Sequence, residues 1–151
     1  IFNNKKMSTL INTDKEYLNW IQNIVSRFRQ SQIKAAVKVN SELLGFYWNL
    51  GKEIAEKETL SKWGESFYDT LSSDLCSKLP DVKCFSSKNL RYVKHFYTLY
   101  SQAIIKFPQL EGKIEDAIFS IPWGHHKVII DKFRKNPLKA LFLVQKTIEN
   151  N

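Results

Sequence analysis

The sequence predicts an all-α protein, a single-domain bundle of about five to seven helices. Three observations carry that prediction. The 151-residue chain holds only five glycines and four prolines, so the tight turns that a many-stranded sandwich or barrel needs are scarce. Apolar residues recur at three- and four-residue intervals along most of the chain, the spacing of a helix face rather than the alternation of a strand. A hydrophobic share of 43% against 25% charged residues is that of an ordinary globular domain, and the length suffices for one core. The domain is expected over residues 14–151, behind a flexible N-terminal segment at 1–13.

The first helix is expected from about Asp14 to Gln30. Thr13 and Glu16 stand at capping-box spacing, the hydroxyl accepting from a free backbone N–H while the carboxylate reaches back. Tyr17, Leu18, Ile21, Ile24, Val25 and Phe28 then follow at helical spacing. A longer second helix is expected from about Gln32 to Lys57, on a stripe that includes Ile33, Val37, Leu43, Leu44, Tyr47, Trp48, Leu50 and Ile54. Asn40 interrupts the stripe, either as a core amide satisfied by hydrogen bonds or as a device that fixes how helices register. Gly51 is expected to admit the close approach of another helix or an aromatic ring.

A third helix, starting near Gly64, turns Phe67, Tyr68, Leu71 and Leu75 inward. It stops at Leu79-Pro80, since the residue before a proline is pushed out of helical geometry. A turn over 80–85 leads to Ser86, which caps a fourth helix running to about Gln102. Helix, turn and helix over about 66–102 form a helix-turn-helix-like unit, with a turn of about six residues where three or four are usual. Phe107–Phe119 reads as a loop or as a short helix around Lys113. Ser120-Ile121-Pro122 and Asn136-Pro137 each read as a cap followed by proline at the first helical position. They open short helices from Trp123 to about Phe133 and from Leu138 to about Glu149.

The net charge is +8, which fits a polyanionic partner, and its distribution says more than its size. Residues 1–41 hold seven basic and two acidic groups, and residues 42–81 four basic and eight acidic. From Val82 to Leu110 there are five basic residues (Lys83, Lys88, Arg91, Lys94 and Lys106) and no acidic one. Residues 121–151 add six basic against two acidic. On the fourth helix Leu90, Val93, Phe96, Tyr97 and Tyr100 take one side, and Lys88, Arg91, Lys94, His95, Thr98 and Gln102 the other. Tyr92 lies at the border, where its ring packs inward or stacks on a base. A solvated face ordinarily mixes signs. Like charges three or four residues apart cost a few tenths of a kcal/mol per pair, and a phosphate backbone is the simplest compensation. The candidate nucleic-acid contacts are therefore Lys88, Arg91 and Lys94 on phosphates, with Ser86, Ser87 and the first-turn N–H groups on one phosphate. Asn89 and His95 are candidates for base contact, and His95 also for phosphate.

Catalytic and metal chemistry find no such pattern. Cys76 and Cys84 are the two cysteines; with no second pair they exclude a zinc ribbon and fit reduced thiols in the cytoplasm. Pro80-Asp81 and Glu111-Gly112-Lys113 spell a formal PD…(D/E)xK match. That chemistry needs the carboxylates and the lysine to converge from adjacent strands on a divalent metal, and no strand-like run flanks either piece. Adjacent His125 and His126 point about 100° apart on a helix, so they do not share an ion. One of them is expected to pack with Trp123 and donate to a backbone carbonyl. No glycine-rich phosphate loop is present, and no nucleophile has a recognisable base. No cofactor or metal is expected. No apolar run approaches the ~20 residues of a membrane span, and no apolar stretch follows Lys5 and Lys6, so neither a membrane nor a secretory signal is expected.

The separated strings Leu71-Ser72-Ser73-Asp74-Leu75, Leu79-Pro80, Phe85-Ser86-Ser87-Lys88-Asn89-Leu90-Arg91 and Phe96-Tyr97 resemble the N-terminal domain of bacterial YhcG-type proteins. Val39-Asn40, Tyr47-Trp48 and Gly51-Lys52 fit the same pattern. So do Ile121-Pro122-Trp123-Gly124-His125-His126 and the closing Gln145-Lys146-Thr147-Ile148-Glu149-Asn150. The resemblance departs at Cys84, where glycine is usual, and at Val93, where methionine is common. It implies a helical, helix-turn-helix-like, non-catalytic nucleic-acid-binding module ahead of a PD-(D/E)XK-type nuclease domain, which carries the catalytic residues outside this chain. The expected partner is nucleic acid, DNA rather than RNA. The competing expectation is a homo-oligomerisation or protein-docking module, its interface drawn from the long second helix, four tryptophans and six tyrosines.

Overall fold

The computed structural model describes residues 14–60, 66–83 and 85–150, apart from the side chains of 33–39, 59 and 60. The segment 1–13 with its Thr13 cap, the helix start near Gly64, and Cys84 lie outside the described residues. Helices are the only regular structure among those described: α1 (Lys15–Leu60), α2 (Phe67–Lys78), α3 (Ser87–Lys106), a 3-10 turn at Pro108–Leu110, α4 (Glu111–Ile118), α5 (Trp123–Phe133) and α6 (Pro137–Glu149). The fold is all-α, as the sequence predicts. No helix among the described residues is long and apolar enough to cross a membrane.

The two helices expected between Asp14 and Lys57 form one run of helical backbone, with no glycine or proline between residues 30 and 40 to interrupt it. The run is not straight. At 1.5 Å per residue, Phe28 and Phe46 would stand about 27 Å apart, yet their ring centroids are 5.5 Å apart. Likewise Trp20 Nε1 donates to Glu53 Oε2 at 3.2 Å, and Arg27 pairs with that same carboxylate. The chain therefore reverses between residues 30 and 40, and two antiparallel arms, 15–32 and 40–60, lie against each other. The first arm opens at Asp14, whose Oδ1 accepts from the Tyr17 N–H at 3.2 Å.

α2 stops where the sequence places its end: Leu79, before Pro80, closes the helix by donating its N–H to Leu75 O. The connector to α3 is pinned from three directions. Arg29 of the first arm grips Asp81 with both guanidinium nitrogens, at 2.8 and 3.1 Å. Ser72 Oγ donates to Phe85 O at 2.6 Å, and the buried Phe85 ring packs edge-on against Phe28. Ser86 caps α3 as expected, its side chain accepting from the Asn89 N–H. α3 then runs to Lys106, one turn past the expected end.

α3 is the hub of the bundle. It touches every other helix, and Leu90, Val93, Phe96, Leu99, Tyr100 and Ala103 are buried along it. Gly51 on the second arm makes its closest approach possible. A Cβ there would lie 2.4 Å from the Val93 carbonyl oxygen and 2.9 Å from Tyr97 Cβ. The ambiguous stretch after α3 is the 3-10 turn and α4, held by Ile114 and Ile118. Asn40 turns out to be a satisfied amide: its Nδ2 donates to Phe119 O at 3.3 Å and Ile121 O at 2.9 Å.

The two proline-linked caps divide. Asn136 caps α6 through its side chain, with Pro137 at the first helical position. Ser120 does not cap α5. Its Oγ donates back to Ala117 O at 2.7 Å, and Pro122 itself takes the N-cap position of α5. The serine lies close enough to the end of α4 to satisfy that helix instead, while α5 keeps the expected span from Trp123 to Phe133.

Candidate nucleic-acid interface

Because α3 is central, only a narrow strip of it meets solvent. Lys88, Arg91 and Gln102 are exposed, and His95 and Thr98 are half-buried beside them. The residues bordering the strip are engaged by the neighbouring helices, and by different ones on each side.

On the side of α1 and α2, Ser87 Oγ donates to Asp69 Oδ1 at 2.7 Å. Arg91 stacks its guanidinium on the Tyr68 ring, 4.5 Å from the centroid. Lys94 pairs with Glu58 of the second arm at 3.0 Å. The compensation that the sequence assigns to phosphate is thus supplied to Lys94 by the fold itself. Stacking leaves the N–H edge of Arg91 available, and no described carboxylate pairs with it.

On the side of α5, Asn89 is a structural linker. Its Oδ1 accepts from Trp123 Nε1 at 2.9 Å, and its Nδ2 donates to the Tyr47 hydroxyl at 3.4 Å. These contacts fix the orientation of the amide, and a base could meet only its remaining N–H and lone pair. His95 Nε2 lies 3.4 Å from Arg134 Nη1. Burial, with Lys94 and Arg134 nearby, holds its pKa below the usual imidazole value. This shift favours the neutral imidazole, which meets a phosphate or a base through a hydrogen bond rather than a charge. Tyr92 donates its hydroxyl to Asp131 Oδ1 at 2.7 Å, a bond that raises the phenol pKa.

Between the start of α3 and α5 the surface opens into a recess of about 340 Å³, lined by Lys88, Tyr92, Gly124, Lys127 and Asp131 together with Ser86, Asn89 and Val128. Neither Lys88 nor Lys127 pairs with a described carboxylate. Lys127 Nζ stands 6.0 Å from the centroid of the Tyr92 ring. Reading one helix at a time brings Ser86, Lys88 and Asn89 to this place but misses Lys127, Asp131 and Gly124. The excess of base over acid in residues 121–151 was the available signal, without the packing that sets α5 beside α3.

The histidine pair separates as expected. His126 is fully buried, its Nε2 2.6 Å from Ile118 O and its Nδ1 3.0 Å from the Tyr100 hydroxyl. His125 is exposed. In the formal PD…(D/E)xK match, Asp81 is held by Arg29 while Glu111 and Lys113 sit exposed on α4. Among the described residues no three His, Cys, Asp or Glu side chains converge on a metal-sized site.

The fold and this surface define an all-α module built around a central, acid-free cationic helix. The chain matches the DUF1016 N-terminal domain over residues 23–151 and belongs to that family, which bears out the YhcG-type resemblance. It is also 31% identical over 94 residues to a flagellar assembly protein, FliH, of Buchnera aphidicola subsp. Baizongia pistaciae. That alignment covers 59% of this chain and 42% of that protein, so the chain spans less than half of the curated relative's length. No solved structure matches the chain.

Proposed function

We propose that this domain is a non-catalytic nucleic-acid-binding module, for DNA rather than RNA, that delivers an attached PD-(D/E)XK-type nuclease domain to its substrate. The observation that carries the reading is that three cations near the start of α3, Lys88 and Arg91 on α3 and Lys127 on α5, are among those with no described carboxylate partner. They adjoin a helix start capped by Ser86, where free N–H groups favour a phosphate. Lys94 is secondary, since releasing it to a phosphate leaves Glu58 behind. The helix-turn-helix element is α2, the pinned connector and α3, approached from the open N-terminal end of α3 rather than along its length.

Each phosphate neutralised on duplex DNA adds ~0.9 to the slope of log K against log salt. Combining Lys88→Glu with Arg91→Glu should weaken binding and lower that slope by about 1.8. Fluorescence anisotropy against duplex DNA, single strands and RNA at two salt concentrations measures both effects. A double variant that binds all three as the wild type does would remove this face from consideration.

A docking or oligomerising role is the second reading, and one observation favours it. Val128, Leu138 and Phe142 are each more than half exposed, and α5 and α6 flank an apolar groove that includes Val128, Ile129, Phe133 and Leu143. A mass that rises with concentration in sedimentation equilibrium would support it, and a constant monomer mass would count against self-association.

A further inference from the structure

We propose that the recess between α3 and α5 receives one unstacked nucleotide, so that the surface takes single strands and strand ends in preference to uninterrupted duplex. The inference rests on the nucleic-acid reading above and specifies the form of nucleic acid bound. A volume of about 340 Å³ lies at the low end of the ~300–1,000 Å³ of small-molecule sites. That is room for a nucleotide and far too little for a double helix.

Each part of the lining answers a part of a nucleotide. Tyr92 lines the recess with a half-buried ring, on which a base stacks once Lys127, standing over that ring, turns to the phosphate. Its hydroxyl is already held by Asp131 at 2.7 Å, so less side-chain freedom is lost when a base arrives. Lys88 lies one helical turn before Tyr92 on the same helix, and Lys127 Nζ is 6.0 Å from the Tyr92 ring. These two ammonium groups, unpaired among the described residues, answer the phosphate. Asp131 argues against a bare phosphate as the ligand. Its carboxylate repels a free anion, whereas it accepts readily from an amino or imino N–H on a base edge. The mixture of an aromatic ring, two cations and one acceptor fits a base joined to a phosphate better than either alone.

Packing does not account for the glycine in the wall. A Cβ added at Gly124 meets nothing within 4 Å, in contrast with Gly51. Gly124 lines the recess, so a large side chain at this position can obstruct it without disturbing the core.

The test compares the affinity of the whole chain for a blunt duplex with its affinity for a single strand of the same sequence, by fluorescence anisotropy at one salt concentration. Wild type should favour the single strand about tenfold, the scale of one stacked base. In Gly124→Leu the two affinities should converge, and in Tyr92→Ala the single strand should weaken by a similar factor. Wild-type protein photo-crosslinked to a single strand carrying 5-iodouracil should yield its adduct at Tyr92, a readout that needs no variant to fold. Equal affinity for both forms in wild type, an unchanged preference in a folded Gly124→Leu protein, or an adduct elsewhere would each overturn the inference while leaving general nucleic-acid binding in place. Failure to bind any nucleic acid would overturn both.

Discussion

His126 has both ring nitrogens occupied at the centre of the protein. Since the Ile118 carbonyl only accepts, Nε2 carries the proton and donates to it at 2.6 Å; Nδ1 then accepts from the Tyr100 hydroxyl at 3.0 Å. Burial drives the pKa down to about 4, against the pull of the Ile118 carbonyl, which favours the charged form, and with a small push from His125. Between that value and about 6.5 the unfolded chain binds a proton that the folded chain refuses, so stability rises with pH across this window and falls as pH drops through it. The full effect is on the order of 3 kcal/mol. Denaturant unfolding from pH 4 to 7.5 should show that slope, and His126→Gln should flatten most of it. His95, also held low but only half-buried, adds a smaller effect of the same sign. An unchanged slope in His126→Gln would mean that other groups set the acid limit.

Helices here are made by local signals and placed by shape. The Ser86 and Asn136 caps and the Leu79-Pro80 stop all act within a few residues, and all three were readable before any fold was known. The crossing of α1 and α3 is different. Gly51 lies where the second arm meets the backbone of α3, and its missing side chain sets the distance between the two helix axes. In an isolated helix Gly51→Ala would be stabilising, because glycine is the poorer helix former. In this protein the added methyl meets a backbone oxygen at 2.4 Å, and neither helix yields without moving its neighbours. A loss of about 3 kcal/mol is expected, at the upper end for overpacking a core. A Gly51→Ala protein with the wild-type denaturation midpoint would show that α1 has room to shift.

At the scale of the molecule, polar groups tie together segments far apart in the chain. Arg29 holds Asp81, Tyr17 donates to Asp74, and Asn40 bonds the turn between α4 and α5 through two carbonyls. The Asn40 tie joins the second arm to the C-terminal helices and depends on a donor. Asn40→Asp at neutral pH sets a carboxylate against two carbonyl oxygens, and should cost about 1–3 kcal/mol, more than Asn40→Ala. Acidification should narrow the gap between the two variants as the carboxyl gains a proton to donate. Thermal melts at pH 7 and pH 5 test the order, and an Asn40→Asp protein as stable as wild type at pH 7 would show that the tie contributes little.

The periodicity, the scarcity of glycine and proline, the caps and the proline stop were enough to establish an all-α chain and most helix ends, because those effects operate over a few residues. They were also enough to single out α3 as a helix flanked by no acid of its own. What neighbours that helix was decided by packing alone. Glu58 neutralises Lys94, Trp123 occupies Asn89, and Arg134 sits by His95, while Lys127 and Asp131 of α5 complete a recess that begins at Lys88. Charge along a chain is a local quantity, but whether a charge is free depends on partners tens of residues away, and only the tertiary arrangement brings them within reach.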